Sequence, residues 1–240
     1  MRVVERGGDQ ATRRVVGRGG LGLPGAVHKP VDRWRLSDTV NDTRGNNLTA
    51  SASVSFVSDA TRNSKVLSLP GTSDALVSTA GQSVDTSGSY TVSAWAYLAN
   101  TNGYSTVVGQ SGTNTSAFYL QYNKQYNAWT FVMPSNDAAS PNTWSAAYAK
   151  TPPALNTWTH LVATFDATTG AMTLYVDGKA AATATNSSPW ASTGPLTIGS
   201  AKTGDYFPGR IGDVQLWKTA LPPAGVTALN SPQPVLTQLS

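Results

Sequence analysis

The stretch WTHLVATFDATTGAMTLYVDGK, residues 158–179, decides how this chain folds. In a strand, Leu161, Ala163 and Phe165 would share one face, as would Met172, Leu174 and Val176 in the next run, and an apolar face with a period of two is that of a half-buried β-strand. The pair Asp177-Gly178 follows the second run, and both residue types tolerate the positive φ angles of a type I′ hairpin. The stretch therefore predicts three consecutive antiparallel strands.

Similar short alternating runs occupy most of the remaining sequence, separated by clusters of Gly, Asn, Asp, Ser and Pro, which is typical of a sandwich or barrel. The segment PPAGVTAL, residues 222–229, predicts a helical turn, because prolines are tolerated at a helix start. Together these patterns predict an all-β fold with one short C-terminal helical turn. The predicted strands lie at 33–37, 53–57, 64–69, 74–78, 89–98, 104–110, 116–122, 127–133, 143–149, 157–166, 171–177, 179–185, 195–199 and 209–218.

The charge distribution divides the 240 residues into a basic tail and a nearly neutral body. Residues 1–35 hold eight of the 17 lysines and arginines against three acidic residues, whereas the remainder holds nine against ten aspartates. The body therefore lacks a basic stripe for phosphate contacts, and we expect no nucleic-acid partner. We predict a disordered basic tail at 1–32, one domain at 33–230 and a linker at 231–240.

The tail does not resemble an export signal, because its apolar runs are shorter than the roughly 7 to 15 residues that such signals need. No run is long enough for a membrane-spanning helix either. The body is nevertheless rich in Ser, Thr, Asn and Gly, which is typical of exported β proteins. We interpret the chain as part of a larger multidomain protein that is secreted or held at the cell surface, with an intracellular protein as the alternative.

Residues suited to catalysis are scarce. Cysteine is absent, the only glutamate is Glu5, and the only histidines are His28 and His160. The body therefore lacks an evident pair of glycanase carboxylates, a zinc ligand set or a Ser-His-Asp triad. His160 alternates with Leu161, which predicts a packing histidine on the outer face of its sheet. We expect no enzymatic activity, and a hydrolase built from distant aspartates remains a third hypothesis.

Aromatic residues in polar loops indicate a binding surface. Sugar rings stack their C–H faces on flat side chains, and neighbouring amides or carboxylates hold the hydroxyl groups. We expect four such aromatic residues to be partly exposed and to contact a ligand: Tyr126, Trp144, Tyr148 and Tyr206.

Several segments, in this order along the chain, resemble one family. They are SKVLSL at 64–69 with SDALV at 73–77, YTVSAW at 90–95, the strand beginning WTH at 158–160, LYVDG at 174–178, and GRIGDVQLW at 209–217 followed by Ala220-Leu221. Together they resemble the laminin-G-like domains of bacterial exported proteins, in the concanavalin A-like lectin/glucanase superfamily. The resemblance implies a two-sheet antiparallel jelly-roll sandwich that binds a ligand and catalyses no reaction.

The resemblance also implies a calcium ion, which takes about six to eight oxygen ligands. The expected ligands are Asp38, Asp42 and Asp213, and further oxygen donors are Asn46, Asp74 and Asp205. Gly212 departs from the family pattern, since an acidic residue often stands there. Asp and Asn also favour turns for reasons of local hydrogen bonding, so turn formation without a metal is the alternative.

The leading functional hypothesis is a non-catalytic module of an exported protein that recognises a carbohydrate or an extracellular protein through loops of the sandwich. The first alternative is an architectural spacer with no specific ligand. The second is a concanavalin A-like glycoside hydrolase.

Overall fold

The computed structural model describes residues 28–50, 54–72, 77–79 and 81–230. Most of the predicted tail, the predicted linker at 231–240, Asp74 and the first part of the predicted strand 74–78 lie outside these ranges. The elements are β1 (Asp32–Trp34), β2 (Leu48–Ala50), β3 (Ser55–Asp59), β4 (Ser64–Pro70), β5 (Val77–Thr79), β6 (Tyr90–Leu98), β7 (Ser105–Ser111), β8 (Ser116–Asn123), β9 (Ala128–Pro134), β10 (Trp144–Tyr148), β11 (Trp158–Asp166), β12 (Ala171–Val176), β13 (Lys179–Thr185), β14 (Leu196–Ile198), β15 (Pro208–Trp217) and α1 (Pro223–Leu229).

The strands form two antiparallel sheets. One sheet has eight strands in the order β13-β12-β11-β6-β15-β4-β3, with β1 also paired to β15. The other has seven strands in the order β10-β9-β8-β7-β14-β5-β2. The predicted all-β sandwich with a short C-terminal helix is thereby confirmed.

The quoted stretch forms β11 and β12 and leads into β13, as predicted. Asp177 and Gly178 have φ angles of 50° and 75°, as a type I′ hairpin requires. The prediction that the first strand is half-buried is wrong, because His160 and Val162 on its outer face are buried as completely as Leu161 on its inner face. Aromatic side chains and the C-terminal segment cover this outer face, and only tertiary packing places them there.

Two differences from the predicted strands occur near the start of the domain. The first strand ends at Trp34 instead of residue 37, because Leu36 has a φ of 54°, in the left-handed region that extended strands do not use. The short strand β2 was not predicted. Two of its three residues are exposed, so it shows no apolar alternation.

An aromatic cluster joins the two sheets at the centre of the core. Tyr90 and Phe165 come from the eight-stranded sheet, and Phe118 and Phe131 come from the other. The ring of Tyr90 lies 5.2 Å from that of Phe118, 5.7 Å from that of Phe165 and 6.2 Å from that of Phe131. These rings fill the space between the sheets and hold them in register.

The two ends of the domain meet over the eight-stranded sheet. Trp217 packs with Val162 and Val226 of α1, and its indole N–H donates to the carbonyl oxygen of His28 at 2.7 Å. The Val31 amide also donates to the Leu216 carbonyl. The described residues 28–32 therefore contact the sandwich, although the sequence placed them in the tail.

Candidate functional site

A groove of about 440 Å³ lies on the outer face of the seven-stranded sheet. Its floor is formed mainly by alternate residues of β8, whose other residues, such as Phe118 and Leu120, point into the core. Its lining combines aromatic rings, amides, hydroxyls and one carboxylate. The lining residues are Tyr104, Thr115, Tyr119, Gln121, Asn123, Gln125, Tyr126, Val132, Ala139, Trp144, Ala146, Thr203 and Asp205.

Hydrogen bonds hold the floor of the groove in place. The Tyr119 hydroxyl lies 2.6 Å from Thr115 Oγ1 and accepts a hydrogen bond from the Ser116 amide at 3.0 Å. Gln121 Oε1 accepts from Thr106 Oγ1 at 3.2 Å. Among the described residues, none accepts a hydrogen bond from Gln121 Nε2, which leaves this amide free to donate to a ligand.

Two exposed aromatic side chains form the groove wall. Trp144, which begins β10, is 50% exposed and lies 6.0 Å from Tyr119 between ring centres. Tyr126 is 42% exposed and stacks on Tyr148 at 4.4 Å with the rings nearly parallel. Lys150 Nζ lies 4.1 Å from the Tyr148 ring centre, so the cation and the two rings are stacked in series. This stacking restricts the motion of Tyr126 while leaving it accessible.

A carboxylate braces the loop at the end of the groove near Trp144. Asp137 accepts hydrogen bonds from the backbone amides of Thr113, Asn114 and Thr115 at 2.7 to 3.1 Å. Burial raises the pKa of Asp137, but these donors outweigh it and the pKa lies below its ordinary value. The loop that contributes Ala139 to the groove is therefore tied to the start of β8.

Asp205 supplies the carboxylate of the groove. Burial raises its pKa, and the Thr203 hydroxyl, which donates at 3.4 Å, offsets that effect only in part. The Asp205 carbonyl accepts from the Thr106 amide at 2.7 Å, which fixes the residue beside β7. Asp205 therefore presents an under-satisfied hydrogen-bond acceptor to the groove.

The structure brings together only some of the residues expected to contact a ligand. Tyr126 and Trp144 line the groove, Tyr148 lies behind Tyr126, and the half-buried Tyr206 lines an adjoining depression. The floor residues Tyr119, Gln121 and Asn123 were not among the residues expected to contact a ligand. The sequence pattern that could have identified them is their alternation with Phe118, Leu120 and Tyr122, which places them on the outer face of the sheet.

The aspartates Asp42 and Asp213, which were expected to bind calcium, already accept hydrogen bonds from other groups of the protein. Asp213 accepts from Nε and Nη2 of Arg33 at 2.6 and 3.0 Å, and Asp42 accepts from the Arg33 amide at 2.5 Å. Asp42 also accepts from the amides of Arg44 and Asn46. Within the described ranges, no three acidic, histidine or cysteine residues cluster as metal ligands would. Asp213 and Asp42 thus do not fit a calcium ion, because the Arg33 guanidinium already supplies the positive charge beside Asp213 and backbone amides satisfy the Asp42 carboxylate.

Asp38 is not part of this cluster. Its carboxylate pairs with Lys65 Nζ at 2.8 Å on the exposed surface. In the described structure Arg33 contacts Asp42 through its amide and Asp213 through its guanidinium, whereas Asp38 pairs with Lys65.

Removing calcium is expected to leave thermal stability unchanged. A site filled at 100 times its Kd would add about 2.7 kcal/mol, which a melting curve readily resolves. The measurement is thermal unfolding in EGTA and in millimolar calcium, with magnesium as the control. A Tm raised by calcium alone would contradict the arrangement around Arg33.

A second polar cluster lies on the outer face of the eight-stranded sheet. His160 stacks on Trp95 at 4.8 Å, and its Nε2 lies 2.9 Å from Ser93 Oγ. The Arg62 guanidinium lies 4.1 Å from the Trp95 ring centre. His160 is 1% exposed, and in the described part of the chain its Nδ1 has no hydrogen-bond partner. His160 is thus the predicted packing residue, because a substrate cannot reach it.

Comparison with known proteins places the fold. The laminin G family model described as "Concanavalin A-like lectin/glucanases superfamily" matches residues 70–227. The chain belongs to this superfamily. The domain is therefore laminin-G-like, as its sequence motifs suggest. No curated protein matches the chain, and no helix in the described ranges is both long and apolar enough to cross a membrane.

Solved structures share the fold of this laminin-G-like domain at low sequence identity. One of them is domain 4 of AbnA, a GH43 extracellular arabinanase from Geobacillus stearothermophilus, which was solved in complex with arabinotriose. It is 18% identical to this chain with a TM-score of 0.70, and the match covers 85% of this chain and 98% of that one. The binding domain of Paraclostridial Mosquitocidal Protein 1 is 15% identical with a TM-score of 0.65, covering 83% and 51%.

A structure of botulinum neurotoxin type C, a toxin whose cell entry is dependent upon interaction with two ganglioside molecules, is also 15% identical with a TM-score of 0.65. The match covers 84% of this chain and 50% of that one. The laminin-G-like domain thus spans about half the length of each of the two toxin chains. At these identities the comparisons establish the shared fold.

Proposed function

We propose that the domain is a non-catalytic module that binds a neutral carbohydrate chain in the groove on its seven-stranded sheet. The observation that carries this proposal is the pairing of two exposed aromatic side chains, Trp144 and Tyr126, with a floor of amides. Flat aromatic rings bind the C–H faces of sugars, and amides and carboxylates bind the hydroxyls.

The polar groups of the groove match the hydroxyl groups of a sugar. Gln121 offers an amide donor, and Asp205 offers a carboxylate acceptor. A sugar hydroxyl both donates and accepts, so it can satisfy both. An apolar ligand would leave these groups desolvated without partners, which costs about 1–3 kcal/mol for each group.

The charge of the lining favours a neutral ligand over an acidic one. The described lining contains no lysine, arginine or histidine, and its charged group is Asp205. A sialic acid or uronic acid carboxylate would lie near this aspartate without a cationic partner. The arabinotriose held by the arabinanase domain is neutral, and its presence in a domain of the same fold supports this assignment.

The same lining supports binding without hydrolysis. Glycoside hydrolases use two carboxylates on either side of the bond that breaks. Asp205 is the single carboxylate among the described residues of the groove. A polysaccharide held there meets an aromatic wall and hydrogen-bonding groups, and we expect it to be retained uncut.

We further propose that the domain is part of a larger exported protein, secreted or held at the cell surface. The Ser-, Thr-, Asn- and Gly-rich composition of the body and the origin of the AbnA domain in an extracellular arabinanase support this location. In that setting the module would hold its parent protein on a glycan.

The test is isothermal titration of the wild-type protein with neutral and sialylated oligosaccharides, arabinotriose included. Trp144→Ala is expected to weaken glycan binding about tenfold, or about 1.4 kcal/mol, because the exposed stacking surface is lost. Leu155→Ala is the matched control, since Leu155 is 41% exposed but lies outside the groove lining.

Three results would contradict the proposal. Wild-type protein that is folded but binds no glycan would favour the architectural spacer. Binding of sialylated glycans alone would show that the ligand is not neutral. Equal loss of affinity in Trp144→Ala and Leu155→Ala would place the site elsewhere.

A further inference from the structure

A second depression adjoins the groove at its Asp205 end. It has a volume of about 410 Å³, similar to that of the groove, and each falls in the range of about 300–1,000 Å³ that small-ligand sites occupy. Tyr104 and Asp205 line both. The two depressions therefore border each other at these residues, and together they are called the cleft below.

The second depression differs chemically from the groove. It is lined by the amide residues Asn100 and Asn102 and by Tyr206, without a counterpart to the exposed indole of Trp144. Its base contains Gly71, where a Cβ would approach Pro208 Cβ to 2.8 Å. This half of the cleft offers hydrogen bonds in place of a broad stacking surface.

A direct contact links the loops that carry the two halves. Lys124 Nζ donates to the Asn102 carbonyl oxygen at 2.9 Å. Lys124 belongs to the β8–β9 turn that also carries Tyr126, and Asn102 belongs to the β6–β7 loop that also carries Tyr104. The contact fixes the aromatic half of the cleft relative to the amide half.

Asp205 stands where the two halves meet. Its carboxylate is partly buried and receives only the 3.4 Å hydrogen bond from Thr203 among the described side chains. Tyr104, at the same junction, is 39% exposed. A sugar unit at this point could stack on the Tyr104 ring and donate a hydroxyl to Asp205 while its neighbours extend to either side.

We infer that one linear oligosaccharide occupies both halves, so that the module recognises an internal segment of a polysaccharide and not a single sugar or a chain end. This inference rests on the proposed function. The aromatic half anchors the chain by stacking, and the amide half selects for length by hydrogen bonding to further units.

The experiment compares a trisaccharide with a hexasaccharide of the same sugar, using arabino-, xylo- and cello-oligosaccharides in parallel titrations. The hexasaccharide is expected to bind about two- to tenfold more tightly than the trisaccharide, which corresponds to the contribution of about one hydrogen bond. Asn102→Ala is expected to remove this gain and leave trisaccharide affinity unchanged, since the backbone carbonyl that contacts Lys124 is retained. Leu155→Ala should leave both affinities unchanged.

The outcomes separate this inference from the proposed function. Equal affinities for the two lengths, or a hexasaccharide gain that survives Asn102→Ala, would overturn the inference while leaving a glycan site in the groove. Loss of trisaccharide binding in Asn102→Ala would also overturn it, because the two halves would then not be separable. Absence of binding to every oligosaccharide would overturn the proposed function and this inference with it.

Discussion

Phe165→Ala is expected to lower the free energy of unfolding by about 3–5 kcal/mol, the usual cost of removing a buried phenylalanine ring. Phe165 is fully buried on the inner face of β11, and its ring lies 5.7 Å from that of Tyr90. The cavity would open between the two sheets, where Phe118 and Phe131 project from the opposite side. Paired strands on both sides of β11 restrict the collapse that could fill it.

The measurement is equilibrium urea unfolding followed by tryptophan fluorescence, with the m-value checked for two-state behaviour. Phe56→Ala is the matched control, because Phe56 is only partly buried on the edge strand β3 and should lose less than half as much stability. Equal losses at the two positions would contradict the central role of the aromatic cluster.

Lowering the pH from 7 to 5 is expected to reduce the free energy of unfolding by about 2 kcal/mol because of the titration of His160. Burial lowers the pKa of His160 to about 4 from the ordinary value of 6.5. Between these pH values the unfolded chain binds a proton that the folded domain excludes, so stability falls as the pH falls. The effect begins near pH 6.5 and levels off near pH 4, where the folded histidine also becomes protonated.

The neighbours of His160 explain why its neutral form is favoured. Trp95 covers one face of the ring, and the Arg62 guanidinium above Trp95 opposes a second positive charge. Asp213 favours protonation, but its carboxylate is already paired with Arg33 and burial of the imidazole outweighs it.

The test is urea unfolding of wild type and His160→Gln at pH 7 and pH 5. The glutamine variant should be less stable at pH 7, yet the drop between the two pH values should shrink by about 2 kcal/mol. A drop of the same size in both proteins would assign the pH dependence to other groups, such as the aspartates.

The strand pattern was predictable because alternation is a local property. Runs such as 116–122 and 171–177 repeat apolar residues at every second position, and the structure forms strands there with those residues inside. The missed strand β2 shows the limit of this reasoning. A three-residue strand with two exposed residues owes its form to pairing with β5, which no local pattern records.

The candidate site was only partly predictable. Composition identified Tyr126 and Trp144 as loop aromatics, but it also selected Tyr206, which lies in the adjoining depression. Tyr119 was not predicted, because it lies inside an alternating strand. The local sequence of such a strand is the same whether the outer face of the sheet is open to solvent or forms the floor of a groove. Whether a groove forms depends on which side chains of β9, β10 and the segment 199–207 lie beside Tyr119.

The expected calcium site illustrates the same limit with charge. Asp42 and Asp213 are 171 positions apart by their residue numbers, yet both contact Arg33, Asp42 through the backbone amide and Asp213 through the guanidinium. Local sequence shows which oxygens could bind a cation, and it does not show that a guanidinium from β1 pairs with Asp213 or that backbone amides satisfy Asp42.

The sequence by itself determined most of the strands, their hairpins and which residues of each strand share one face, because strand period and turn chemistry act over a few neighbouring residues. Only the tertiary structure decided which outward-facing side chains gather into a cleft and which aspartates are neutralised within the fold. Those outcomes depend on contacts between residues far apart in the chain. The order of the strands and the positions of the loops determine the distances between such residues, and the local sequence pattern does not.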